Sequence, residues 1–146
     1  MRWIPVLSLL AFTPGIVAAP IPKEVKVASD AQRILGTWQS EFLSTNGGEK
    51  QPDVSMRFLF EADGKCAILY RAGDNPDPDS EFALDTGTSP RRMKWLNGRL
   101  KTEWRCLYEL DDDTLTVAFI KAGTEIPAKL EPSPNTTIYY LKRIKE

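Results

Sequence analysis

The chain has 146 residues, 42% of them hydrophobic, which is enough for one domain with a core but too short for two. Its 19 basic and 20 acidic residues nearly cancel, so the composition offers no basic surface of the kind that binds nucleic acid. The sequence contains no His, which excludes the commonest general base, the usual triads and the commonest zinc ligand.

The first 19 residues differ in composition from the rest of the chain. Arg2 supplies a positive start, residues 4–12 form an apolar run, and small residues precede Ala19. Because this run is too short for a comfortable membrane span, we predict a secretory signal peptide over residues 1–19 and no stable span. The sequence does not fix the exact cleavage site, because Pro20 would directly follow Ala19 and a proline there hinders cleavage. We expect an exported protein, periplasmic or extracellular.

The start of the folded domain is predicted from a short helix and a Gly-x-Trp sequence. Residues 20–28 are expected to form a flexible tail marked by prolines, and the domain to cover residues 29–146. A capped helical turn follows, which Gly36 ends. Trp38 then opens the first strand, where its large apolar ring can plug one end of a closed sheet.

Alternating apolar residues and turn sequences predict eight strands and almost no other helix. Asp63-Gly64 and Asn97-Gly98 are hairpin sequences. The predicted strands cover residues 38–44, 54–60, 65–71, 81–85, 91–96, 99–110, 114–121 and 136–144. Short hairpins between neighbours favour an up-and-down order, and eight strands can close around side chains or one small ligand. The predicted fold is all-β: an eight-stranded antiparallel up-and-down β-barrel with a short N-terminal helix.

Gly36-Thr37-Trp38 after a short helix resembles the Gly-x-Trp signature of lipocalins. In that family the Trp packs against a basic residue of the last strand, and the resemblance implies that Arg143 has this role. The chain is more closely similar to an uncharacterised lipocalin-like domain family of exported planctomycete proteins. This likeness covers residues 31–146, and its matching segments are residues 34–38, 56–60, 108–115 and 141–143, with Pro90 and Pro127.

Two positions depart from that family pattern. Cys106 stands where the family usually has Gly, and Lys94 where an acidic residue is common. The family has no established activity, so the resemblance implies a lipocalin-like fold and carries no catalytic residues to this chain.

Seven aromatic residues are candidates for the barrel interior. They could line an apolar cavity for a partly apolar ligand. They could equally be core side chains that fill a small barrel, which is the commoner arrangement. The seven are Phe58, Phe60, Tyr70, Trp104, Tyr108, Phe119 and Tyr140.

Cys66 and Cys106 are the only cysteines, and both have the inward parity of their strands. An exported protein permits a disulfide between them, which would contribute about 2–4 kcal/mol to stability. The strands that carry them are not neighbours in a simple barrel, and a bridge needs the Cα atoms within about 7 Å. The sequence is consistent with either a disulfide between the two cysteines or two buried thiols.

Polar clusters in the sequence support neither catalysis nor a metal site. The acidic run from Asp74 to Asp79 lacks the spacing and Gly of a calcium loop, so we interpret it as solvated. Arg91, Arg92 and Lys94 could form a basic rim or merely protect a strand edge. No phosphate loop or nucleophile elbow is present. We expect no enzyme activity, cofactor or metal.

The sequence therefore predicts a non-enzymatic binding module, expected to be monomeric, for a small and partly apolar ligand held at the end opposite Trp38. The alternative is a protein-interaction module, such as an inhibitor of secreted hydrolases, whose feature to watch is the segment 20–26. Neither interpretation involves nucleic acid.

Overall fold

A computed structural model describes residues 29–70 and 80–145 of the chain. One short helix and nine strands lie in these residues, as predicted for an all-β protein. In chain order they are α1 (Asp30–Arg33), β1 (Gly36–Thr45), β2 (Gln51–Pro52), β3 (Met56–Phe60), β4 (Cys66–Tyr70), β5 (Glu81–Asp85), β6 (Arg91–Leu96), β7 (Glu103–Leu110), β8 (Thr114–Ile120) and β9 (Thr136–Arg143).

All eight predicted strands are confirmed, with two differences. The two-residue strand β2, which pairs with β1, was not predicted, because a stretch this short has no alternation to detect. β7 begins at Glu103 and not at residue 99. The side chain of Asn97 accepts hydrogen bonds from the N–H groups of Arg99 and Leu100, at 3.0 and 2.8 Å, and holds these residues in a longer turn.

The strands form one antiparallel sheet, a half-barrel with the order β4-β3-β1-β9-β8-β7-β6-β5. The last strand lies beside the first, as predicted, because β9 pairs with β1 along most of its length. The edges β4 and β5 meet through a single bridge between Lys65 and Glu81. Hydrogen bonds from Cys66 N–H to the Ser80 carbonyl, at 2.9 Å, and from Phe82 N–H to the Gly64 carbonyl, at 3.0 Å, flank this bridge.

Each face of the sheet carries its own apolar cluster, because successive side chains on a strand point to opposite faces. The inner cluster is the larger one and includes Trp38, Phe58, Trp95 and Tyr108. The outer cluster consists of Leu107, Ala118, Ile120 and Ile138, and Ile126 and Leu130 of the loop between β8 and β9 pack against it. Part of the sheet is therefore buried on both faces.

The half-barrel has two ends, named here by what they carry. The plug end holds α1, Trp38, the turn between β7 and β8, and Arg143. The mouth end holds the turn between β6 and β7 and the strand ends at Met56, Tyr70 and Ile120. Strand β7 runs from the mouth end at Glu103 to the plug end at Leu110, so this one strand carries residues of both ends.

Three predictions fall outside the described residues: the signal peptide over residues 1–19, the tail over residues 20–28 and the acidic loop from Asp74 to Asp79. Within the described ranges, none of the helical structure is long and apolar enough to cross a bilayer.

Candidate functional site

The plug end is built around Trp38, as the sequence predicted. Its ring is fully buried, and its indole N–H donates to the carbonyl of Ile34 at 2.8 Å. The guanidinium carbon of Arg143 lies 4.2 Å from the centroid of the indole, the geometry of a cation–π contact. The first strand and the last are thus joined by side chains as well as by sheet hydrogen bonds.

Arg143 also holds the end of α1. Its guanidinium donates to the carbonyl of Leu35 at 2.8 Å, to that of Asp112 at 3.1 Å and to that of Arg33. The bonds to Leu35 and Arg33 satisfy carbonyl groups that the end of a short helix leaves without partners, and the bond to Asp112 reaches the turn between β7 and β8. Gly36 has φ of +117°, and a Cβ there would come within 3.4 Å of Arg143 Nη1. The predicted plug residues Gly36, Trp38 and Arg143 therefore come together.

A second polar group at the plug end centres on Asp30, whose side chain is largely buried. One carboxylate oxygen accepts from the Tyr108 hydroxyl at 2.8 Å and from Arg91 at 2.7 Å, and the other lies 3.5 Å from Arg33. Burial raises the pKa of the Tyr108 hydroxyl, and its hydrogen bond to Asp30 raises it further. These contacts tie α1 to β6 and β7.

A small cleft opens beside this group, with a volume of about 330 Å³. That volume lies at the lower limit for ligand pockets. Its lining is Thr88, Ser89, Pro90, Arg91, Tyr108, Glu109, Leu110 and Asp111. Sequence reasoning did not find this cleft, because residues far apart in the chain form it. Arg91 pairs with Asp30 and Lys94 with Glu103, so the basic rim considered above does not form one patch.

The deep interior of the half-barrel is filled by aromatic rings. Phe58, Phe60 and Tyr108 are almost completely buried. Trp95 lies between the first two, with its ring centroid 5.9 Å from that of Phe58 and 5.8 Å from that of Phe60. Such edge-to-face contacts are typical of a packed core. These three predicted residues are therefore core side chains.

Near the mouth end the rings are only partly covered. Trp104 is 38% exposed and Tyr70 49% exposed, although both have inward parity. The ring of Phe119 contacts that of Trp104 at 6.3 Å between centroids and that of Tyr139 at 5.5 Å. Tyr70 is the last residue of β4 and pairs with Met56 at the same end of the sheet. We call these four residues the mouth aromatics.

The prediction that Tyr140 lies inside is wrong, and its neighbour Tyr139 takes that place. Tyr140 packs on the outer cluster, and the amine of Lys50 lies 4.2 Å from its ring centroid. Tyr139 pairs with Val117 on the inner face. Burial raises the pKa of Tyr139 to about 12, with smaller contributions from Tyr70 and Asp53.

Besides Tyr139, two further inner aromatics were not predicted from the sequence. Trp95 is almost fully buried, and Phe82 packs on Phe60 with ring centroids 5.0 Å apart. The alternation of Met93 and Trp95 along β6 could have identified Trp95, because both are buried and Lys94 between them is exposed.

Cys66 and Cys106 are buried on the inner face and carry free thiols. Burial raises the pKa of the Cys66 thiol to about 12, with Glu81 raising and Lys65 lowering it by smaller amounts. The pKa of Cys106 is raised as well, first by burial and then by Cys66. A protonated buried thiol is a poor nucleophile, so neither residue has the environment of a reactive cysteine.

Comparisons with known proteins add no relative. A scan of the chain against protein-family models finds no match, and a search of curated proteins finds no significant similarity.

Proposed function

We propose that this protein is an exported, lipocalin-like binding module without enzymatic activity, and that the mouth aromatics hold a small, flat, partly apolar ligand. The lipocalin-like assignment, and full closure of the half-barrel between β4 and β5, are parts of this proposal. The lipocalin-like assignment is supported by the pairing of the first and last strands and by the contact between Trp38 and Arg143.

One observation carries the proposal: Trp104 and Tyr70 have inward parity but keep 38% and 49% of their surface exposed. Large aromatic side chains with that parity are normally covered by the core. Below them, Phe119 and Tyr139 contact each other and form an aromatic floor. A planar ligand could stack on this floor and cover the two exposed rings.

The position of the site follows from how the interior is filled. Phe58, Phe60 and Trp95 occupy the centre, so a ligand would lie on top of the packed rings and not inside them. A shallow site of this kind selects for flat molecules, since only a flat face can contact several ring edges together.

The test is a fluorescence titration with N-phenyl-1-naphthylamine, an uncharged and largely apolar aromatic probe, on the wild type and on Trp104→Ala. Loss of one stacked ring should weaken binding about threefold to tenfold. Leu96→Ala is the matched control, because Leu96 is also 38% exposed and lies on the adjacent strand with outward parity. It should bind as the wild type does.

Equal probe affinity in Trp104→Ala and wild type would contradict the proposal, as would equal losses in Trp104→Ala and Leu96→Ala. Native mass spectrometry of protein purified from its own source adds a direct measurement. A bound mass that disappears in Trp104→Ala supports the mouth aromatics as the site.

A further inference from the structure

The turn between β6 and β7, residues 97–102, projects an apolar side chain into solvent between two cations. Leu100 is 66% exposed, the largest value for a large hydrophobic residue in the described part of the chain. Arg99 and Lys101 on either side of it are exposed too. We call residues 97–102 the hairpin tip.

Hydrogen bonds hold the hairpin tip in one shape. Besides the two bonds that Asn97 accepts through its side chain, Lys101 N–H donates to the Asn97 carbonyl at 2.9 Å. Asn97 N–H donates to the Thr102 carbonyl at 2.9 Å, and Gly98 N–H to the Ser80 hydroxyl at 3.1 Å. Leu100 is therefore presented to solvent by a fixed backbone, which lowers the entropy lost when the tip binds something.

Charge around the hairpin tip differs from that of the whole chain. Residues 94–105 contain four basic side chains and one acidic side chain, whereas the chain as a whole has 19 basic and 20 acidic residues. The acidic one, Glu103, lies 3.9 Å from Lys94. Arg99 and Lys101, which flank Leu100 in the sequence, are both exposed and give the hairpin tip two positive charges.

We propose that the hairpin tip docks on the surface of an anionic phospholipid membrane, with Leu100 entering the apolar layer and Arg99 and Lys101 meeting the lipid phosphates. An apolar side chain between cations matches the order of layers at a lipid surface, where phosphate lies above hydrocarbon. The inference goes beyond ligand binding by the mouth aromatics, and it does not require that binding.

The shape and composition of the tip favour a membrane over a protein partner. Protein interfaces are depleted in Lys, and an interface of standard size buries about 800 Å² on each partner, whereas a narrow convex turn offers little area. A fluid lipid surface can enclose a convex projection without a matching groove. A protein partner is therefore an outcome for the experiment to detect and not part of the proposal.

The experiment is flotation of the exported protein, with its N-terminus determined by mass spectrometry, on phosphatidylglycerol-containing vesicles and on pure phosphatidylcholine vesicles. The wild type should float with the anionic vesicles, and the bound fraction should fall as the salt concentration is raised. Leu100→Ser should lower partitioning about tenfold or more. Arg99→Ser with Lys101→Ser should lower partitioning about 25-fold, at about fivefold for each cation, and should weaken its salt dependence.

A matched control removes the same charge from the opposite end. Lys142→Ser with Lys145→Ser changes two exposed lysines near the plug end and should leave partitioning unchanged. Leu100→Trp should bind at least as tightly as wild type, and its added fluorescence should shift to the blue on anionic vesicles. Circular dichroism checks that each variant is folded.

Three results would overturn the proposal. Wild type could bind both vesicle types equally, the tip variants could float as wild type does, or the Lys142 and Lys145 control could lose as much as the tip pair. Absence of wild-type binding to either vesicle type would overturn it as well, and loss of a purified protein partner in Leu100→Ser would then assign the tip to protein recognition. Leu100→Ser should bind the fluorescent probe as tightly as the wild type does. A failure of the membrane proposal can therefore be distinguished from a failure of ligand binding at the mouth aromatics.

Discussion

Trp38 at the plug end and Trp104 at the mouth end are both inward residues of the same sheet, yet their surroundings are opposite. Trp38 is completely buried, hydrogen-bonded to Ile34 and covered by Arg143. Trp104 is 38% exposed and contacts the edge of Phe119. One end of the half-barrel is thus fixed by specific polar contacts, while the other keeps apolar surface exposed.

The largest expected difference between the two ends is in stability. Trp38→Ala should lower the free energy of unfolding by about 3–5 kcal/mol, because it removes a buried ring and leaves a cavity. Trp104→Ala should lower it by only about 1–2 kcal/mol, since much of that ring is already in water. Chemical denaturation measures both values. Equal losses would remove the distinction between the ends.

A smaller effect is expected from the guanidinium that covers Trp38. Arg143→Gln should lower the free energy of unfolding by about 2–3 kcal/mol, because the carbonyls of Leu35 and Asp112 lose a charged donor. Lys142→Gln, at an exposed neighbouring position, should change it by less than about 0.5 kcal/mol. Thermal or urea unfolding of the two variants gives the comparison. A loss in Lys142→Gln as large as in Arg143→Gln would contradict this role.

Alkaline pH should destabilise the protein through groups buried in their neutral form. The thiol of Cys66 has its pKa raised from 9.0 to about 12, and Tyr139 from 10.0 to about 12. Between the unfolded and folded pKa values the unfolded state has lost the proton and the folded state keeps it, so stability falls as pH rises. We expect full stability from these groups below pH 9, and a loss of about 1 kcal/mol for each such thiol from pH 9 to pH 10.

Urea unfolding at a series of pH values measures this slope. Tyr139→Phe should keep the decline that begins near pH 9 and reduce only the part above pH 10, because it leaves the thiols in place. A stability that stays constant to pH 11 would show that these groups titrate alike in the folded and unfolded chain.

The smallest expected effect concerns the hairpin tip. Leu100→Ser should change the free energy of unfolding by less than about 0.5 kcal/mol, because the side chain contributes little to the core. Differential scanning calorimetry checks this value. A large loss would mean that Leu100 serves the fold, and its exposure would then need another explanation than docking.

Much of the fold could be predicted because most strands alternate clearly. In β3, Met56, Phe58 and Phe60 are buried and Arg57 is exposed, as the pattern indicated. The plug was predictable too, since Gly36, Trp38 and Arg143 form a recognisable set. The strand alternation is a local signal that needs only a few neighbouring residues, whereas the pairing of Trp38 with Arg143 was expected only from the likeness to a Gly-x-Trp signature.

Other features could not be predicted, for physical reasons. β9 is covered on both faces, since the loop with Ile126 and Leu130 lies over its outer side, so hydrophobicity did not distinguish Tyr139 from Tyr140. The Asp30 cluster joins residues up to 78 positions apart, and no spacing in the sequence reports such a contact. The partial exposure of Trp104 depends on where the strands end in space, which parity alone does not give.

The position of β9 has a consequence for how the chain is made. Without this strand the described sheet divides into two parts, β4-β3-β1 with β2 and β8-β7-β6-β5, joined only by the bridge between Lys65 and Glu81. Residues 136–143 must leave the ribosome before the two parts can be united. A nascent chain therefore cannot complete the described sheet until this central strand is available.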